Sequence, residues 1–89
     1  MDRDAIIVDL GRVIDEVLEL EGRGESLTGA SQLLGAMPEF DSMAVVSLIT
    51  ALEERYGFSV DDDEISGETF ETVGSLADFV ARKRLEASA

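Results

Sequence analysis

Pro38-Glu39-Phe40-Asp41-Ser42-Met43, running on through residues 44–56, is the stretch that decides the fold. Asp41 suits a helix N-cap, because its short carboxylate accepts hydrogen bonds from backbone N–H groups that the first turn leaves unpaired. Ser42 then takes the first helical position. Apolar residues follow at Val45, Leu48, Ile49, Leu52 and Tyr56, the i, i+3, i+4, i+7 spacing of a helix with one face on a core, and Gly57 supplies a C-terminal cap. The pattern predicts an amphipathic helix over about 42–56 with a serine hydroxyl at its mouth.

A helix N-terminus offers free N–H groups and a partial positive charge, which suits a phosphate esterified to a nearby side chain. Taken as an isolated Asp-Ser pair, Ser42 is better explained as simply a good early-helix residue. Serine catalysis is disfavoured, since a serine nucleophile needs a base and the 89 residues contain no histidine. Lys83, the sole lysine, falls in the basic run 82–84 at the expected end of a helix, where a helix-dipole role outweighs a Ser-Lys pair. Ser42 is therefore more credible as a residue modified by another enzyme than as a catalyst.

Working outward, Ile6, Leu10, Val13, Ile14 and Val17, joined by Ile7 and Leu18, predict a first helix over about 4–20, interrupted by Gly11. Its acids Asp9, Asp15, Glu16 and Glu19 read as a solvated face. Residues 21–40 carry Gly22, Gly24, Gly29 and Gly35 with Pro38, the punctuation of a long loop, pinned to the core by Leu27, Leu33, Leu34 and Met37. The acidic run 61–64 leads a short helix over about 61–67. Thr72 caps a last helix over about 72–85, with Val73, Leu76, Phe79 and Val80 inward. The sum is one all-α domain over 1–89, a small four-helix bundle with a long loop between helices 1 and 2 and a short third helix.

Twenty acidic against seven basic side chains give a formal charge of −13, which disfavours nucleic acid and anionic membranes and favours basic protein surfaces. There is no cysteine, hence no disulfide or thiolate metal site, and no apolar stretch of membrane-spanning length or secretory leader pattern. A cytoplasmic monomer is the expectation. Asp61 and Asp63 match two positions of a calcium loop, but Ile65, Ser66 and Thr72 stand where a ligand, the turn glycine and the bidentate glutamate are needed, so no metal site is expected.

From about residue 33 to 80 the chain resembles the acyl carrier proteins, through Asp41-Ser42-Met43, Leu52-Glu53-Glu54, Tyr56-Gly57-Phe58, the acidic run 61–64 and Thr72-Val73-Gly74-Ser75-Leu76. That resemblance implies a non-catalytic carrier whose serine, here Ser42, receives phosphopantetheine from coenzyme A through a separate phosphopantetheinyl transferase, with Asp41 as the acidic neighbour. The arm's thiol would carry an acyl group to acyl-activating or acyl-transferring enzymes with basic docking patches. Met43 stands for the usual leucine and Glu39 for a common glycine. The run 38–43 resembles more narrowly the carriers that accompany exosortase and exopolysaccharide systems.

At about 100° per residue, Met43, Val46, Ser47, Thr50 and Glu54 lie opposite the core stripe of the second helix, with Ser42 and Glu53 at its edge. The resemblance makes this face a docking surface, completed by Asp62, Asp63 and Glu64. Ala44 and Ser47 stand where the family's early turns usually carry acids, which implies specialised lipid, polyketide or exopolysaccharide-linked partners. An aminoacyl or peptidyl carrier, and an unmodified acidic interaction module, remain as alternative readings.

Overall fold

The computed structural model describes residues 2–33 and 41–88; the side chains of Ser42, Asp62, Ala87 and Ser88 lie outside that description. Three α-helices fill it, α1 (Arg3–Leu18), α2 (Ser42–Tyr56) and α3 (Val73–Ser88), with two 3-10 turns at Arg23–Ser26 and Asp62–Glu64. No strand occurs among the described residues. One isolated antiparallel bridge joins Gln32 to Thr72.

Asp2 opens α1 by accepting the Ala5 N–H on its carboxylate at 2.8 Å. The helix closes when Glu19 turns into the left-handed region at φ 54° and the Leu20 N–H reaches back 3.0 Å to the Asp15 carbonyl, a closure sealed by the burial of Leu20. Gly11 interrupts nothing. It lets the chain after α1 fold back: a Cβ on Gly11 would lie 2.5 Å from the Gly24 carbonyl oxygen, and one on Gly24 would lie 2.2 Å from that of Gly11. Asp15, expected on a solvated face, holds this backbone contact by accepting the N–H groups of Gly22 at 3.2 Å and Gly24 at 3.0 Å.

The loop then serves α3. The Val73 N–H donates to the Ser31 carbonyl and the Gly74 N–H to the Gly29 carbonyl, each at 2.9 Å. Thr72 Oγ1 takes the Ser75 N–H and Ser75 Oγ the Thr72 N–H, each at 3.0 Å, and the Leu76 N–H reaches the Thr72 carbonyl at 3.1 Å. The donors that a helix start leaves open are thus all filled at α3. Leu33 is buried beside this strip; Leu34 and Met37, expected as further anchors, lie outside the described residues.

The core is built from Ile6, Leu10 and Ile14 of α1, Leu48 and Leu52 of α2, Val73, Leu76 and Val80 of α3, and Leu20, Leu33, Phe58 and Phe70 from the connections. Burying each such side chain is worth about 1.5–3 kcal/mol.

Two further expectations need correction. Among the described residues there are three α-helices, not four: the segment expected as a short helix over about 61–67 makes only the turn Asp62–Glu64, opened by Glu64 Oε2 accepting the Asp61 N–H at 2.8 Å and not continued through Ser66 and Gly67, both poor residues for a helix interior. The last helix runs on to Ser88, so residues 82–84 do not occupy its final turn and the helix-dipole role expected of them falls away.

Asp9 departs from its expected place as well. Expected in water, it is only 8% exposed and accepts a forked pair of hydrogen bonds from Arg55, one from Nε at 2.6 Å, and a further one from the Tyr56 hydroxyl. The Arg55 guanidinium holds the Asp9 carboxyl below its ordinary range despite burial. Burial, with Asp9 alongside, keeps the Tyr56 hydroxyl protonated well beyond its ordinary value. The Tyr56 ring stacks on Phe58 at 6.0 Å and carries the Arg84 guanidinium 5.6 Å from its centroid. This cluster locks the end of α2 to α1 and α3.

Candidate functional site

Asp41 enters α2 extended, at φ −105° and ψ −174°, and its carboxylate accepts the Ala44 N–H at 2.9 Å while its carbonyl takes the Val45 N–H at 3.0 Å. Ser42 is thereby fixed as the first residue of a fifteen-residue helix, at its positive end. Its chain neighbours face solvent: Asp41 is exposed and Met43 is 73% exposed. The helix ends at Gly57, left-handed at φ 73°, whose N–H reaches the Glu53 carbonyl at 2.9 Å.

The outward face of α2 is as the periodicity lays it out. Met43 and Val46, the latter 60% exposed, lie in water with Ser47, Thr50 and Glu54. Thr50 spends its hydroxyl on the Val46 carbonyl at 3.1 Å. Ala44 does not belong to this face: it is 7% exposed and packs inward, so an acid there would be buried. The absence of a carboxylate at Ala44 is a packing requirement.

The remaining candidate acids divide. Glu53 is half-buried and accepts the Val60 N–H at 2.8 Å, tying the turn after α2 to the helix. Glu64 accepts the Asp61 N–H and pairs with Lys83, whose Nζ lies 2.8 Å from Oε1 and 3.0 Å from Oε2. Asp63 is exposed and available; the Asp62 side chain lies outside the described residues. Hydrogen bonding from the Asp61 N–H, then from Lys83, holds the Glu64 carboxyl below its ordinary value. Neither Glu53 nor Glu64 is a free surface charge. Lys83 was missed as a partner for want of any local signal, its acid being nineteen residues away.

Among the described residues no three acidic, histidine or cysteine side chains converge as a metal site, and no helix is long and apolar enough to cross a membrane. An open groove of about 470 Å³ lies between α1 and α2, lined by Val13, Glu16, Val17, Ala51, Glu54 and Arg55. It holds no constellation of nucleophile and base.

A capped helix whose first residue is a serine, flanked by exposed neighbours, defines a class. The family described as the phosphopantetheine attachment site matches residues 9–80, and the chain belongs to the acyl carrier protein family. It is similar to the solution NMR structure of a holo acyl carrier protein from Nitrosomonas europaea, with 53% sequence identity, a TM-score of 0.81, and coverage of 93% of this chain and 96% of that one. It is 25% identical over 84 residues to an acyl carrier protein of Rhodococcus erythropolis, covering 94% of this chain and 87% of the relative. It is 26% identical over 87 residues to one of Acidothermus cellulolyticus, covering 98% of each.

The prosthetic group of this family is phosphopantetheine, and the local structure fits it. The phosphate would sit at the positive end of α2, and the flanking residues leave the surface open to a modifying enzyme. When bound, the group supplies the thiol on which an acyl chain is held as a thioester.

Proposed function

We propose that Ser42 is the attachment residue and that the protein accepts acyl groups and hands them to partner enzymes without catalysing a step itself. The observation that carries this reading is the Asp41 cap, which sets Ser42 as the first residue of α2 between exposed neighbours. The Ser42 hydroxyl attacks the pantetheine-side phosphorus of coenzyme A: the serine O–P bond forms, the phosphoanhydride breaks, adenosine 3′,5′-bisphosphate leaves and the hydroxyl proton passes to a base. A transferase supplies the base, since the chain has no histidine of its own.

Partners dock on the outward face of α2, where Met43 and Val46 give apolar contact and Thr50 a small polar surface, with Glu54, Asp62 and Asp63 meeting basic patches. Glu53 and Glu64 act one step back, by holding the 58–64 turn in place. The uncharged Ser47 in the early part of this face supports partners in a specialised lipid, polyketide or exopolysaccharide-linked pathway. A cytoplasmic monomer completes the reading.

The test is acyl loading. After incubation with coenzyme A, a phosphopantetheinyl transferase and an acyl-activating enzyme, the wild type gains an acyl group released by hydroxylamine. Ser42→Ala, shown to be folded by circular dichroism, gains none, and Ser26→Ala, an exposed serine away from α2, behaves as wild type. Loading of Ser42→Ala would sink the proposal.

A further inference from the structure

Without a neighbouring base to activate a hydroxyl, a thioester is lost to three kinds of protein side chain: a thiolate, a neutral imidazole and a neutral amine. The 89 residues contain neither cysteine nor histidine, and of seven basic residues six are arginine, which keeps its proton and does not attack acyl carbon. One side-chain amine remains, that of Lys83.

Its placement is unusual for lysine, which is almost never buried unless paired. Lys83 is 9% exposed, and its Nζ sits across both oxygens of Glu64 at 2.8 and 3.0 Å. Glu64 is itself pinned by the Asp61 N–H at 2.8 Å. The charged groups that act on the amine are Glu64 and Asp61 on the turn and Glu86 on its own helix, and Arg82 acts on Glu64 from the same helix. Arg82, one residue away, is exposed, its guanidinium 5.3 Å from the Phe79 ring centroid.

We infer that the Glu64 pair keeps the Lys83 amine covered and protonated, so that the protein's only side-chain amine does not consume the acyl thioester that the protein carries. The inference rests on the carrier reading above. The reaction prevented is aminolysis: the nitrogen lone pair attacks the thioester carbonyl, a C–N bond forms, the C–S bond breaks, and the sulfur leaves as thiolate and takes up the proton that nitrogen releases. A protonated amine has no lone pair to begin it. Hydrogen bonding to Glu64 raises the Lys83 ammonium above its ordinary value against the opposing effect of burial, which lowers the share of attacking amine at any pH.

The experiment compares wild type, Glu64→Gln and Arg82→Lys. Each is exposed to excess acetyl N-acetylcysteamine thioester at about pH 9, where an ordinary lysine is a few per cent neutral, and acetylated lysines are mapped by tandem mass spectrometry. Arg82→Lys preserves charge and places an exposed amine beside Lys83. Expected is acetylation at position 82 several-fold faster than at Lys83 in the same molecule, and acceleration at Lys83 in Glu64→Gln. Wild-type Lys83 reacting as fast as the introduced amine overturns the inference, even should Glu64→Gln fail to fold. On acyl-loaded protein, Glu64→Gln shortens the life of the thioester and the acyl group appears as an amide on residue 83; an unchanged life overturns the inference. The free-thioester arm needs no modification of Ser42, so a failure of the carrier reading shows separately, as a wild type that cannot be loaded.

Discussion

Replacing Asp9 by asparagine tests whether the Asp9, Arg55 and Tyr56 cluster carries stability or merely decorates the end of α2. The carboxylate is 8% exposed and serves three donors, two on Arg55 and one on Tyr56. Breaking a fully buried pair costs about 3–5 kcal/mol, and an exposed pair contributes about 0–1 kcal/mol. Here the Arg55 side chain is 47% exposed and regains water when its partner is neutralised, so the cost falls between these limits, at about 2 kcal/mol. For a chain of this size that lowers Tm by roughly 10 °C. Thermal and urea unfolding followed by circular dichroism at neutral pH measure it. Tyr56→Phe, which removes one donor, costs about 1 kcal/mol, and the double variant is less destabilised than the two costs added, because both act on one carboxylate. The pH dependence has a defined sign. Folding holds the Asp9 carboxyl below its ordinary value, so the unfolded chain binds the proton more readily, and the contribution is complete above the ordinary aspartate value of about 3.9 and lost as the pH falls through the lower folded value. The gap between wild type and Asp9→Asn therefore closes below about pH 4. A variant within about 0.5 kcal/mol of wild type at neutral pH, or a gap that stays constant into acid, would refute the reasoning.

Gly24→Ala places a Cβ 2.2 Å from the Gly11 carbonyl oxygen and 2.5 Å from the Asp15 Cβ, contacts that only backbone movement relieves, and costs about 2–3 kcal/mol by denaturant titration. Glu19→Gly relieves a left-handed residue at the end of α1 and is expected to raise stability by up to about 1 kcal/mol, read as a higher urea midpoint at unchanged slope. Added sodium chloride raises the Tm of wild type, because a charge of −13 on 89 residues repels itself; a flat response to salt counts against that repulsion.

The second helix was legible because its signals are local. Asp41 and Gly57 cap it by their own side-chain and backbone chemistry, and Leu48 and Leu52 repeat at helical spacing, so start, stop and buried face all follow from neighbouring residues. What stayed hidden depends on partners far along the chain. Asp9 is indistinguishable in sequence from a solvated acid until Arg55, 46 residues later, folds against it. Gly11 looks like a flaw until Gly24 is seen to need the space, and Asp15 like surface charge until its two backbone donors are in place. Ala44 was assigned to the docking face from its family position, whereas its burial answers to the core. The acidic run 61–64 suggested a helix, and Glu64 does cap the Asp61 N–H as a helix start would, yet the turn does not continue past Glu64, which is held instead by Lys83, nineteen residues on. Ser42 itself stood out only through the wider stretch around it, since an Asp-Ser pair at a helix start is common chemistry.

The attachment of a single group to Ser42 is tested by intact-protein mass spectrometry after incubation with coenzyme A and a promiscuous phosphopantetheinyl transferase, wild type beside Ser42→Ala. One added phosphopantetheinyl group on the wild type and none on the variant is the expected result. A folded wild type that gains nothing, or a Ser42→Ala protein that gains the group, would contradict it.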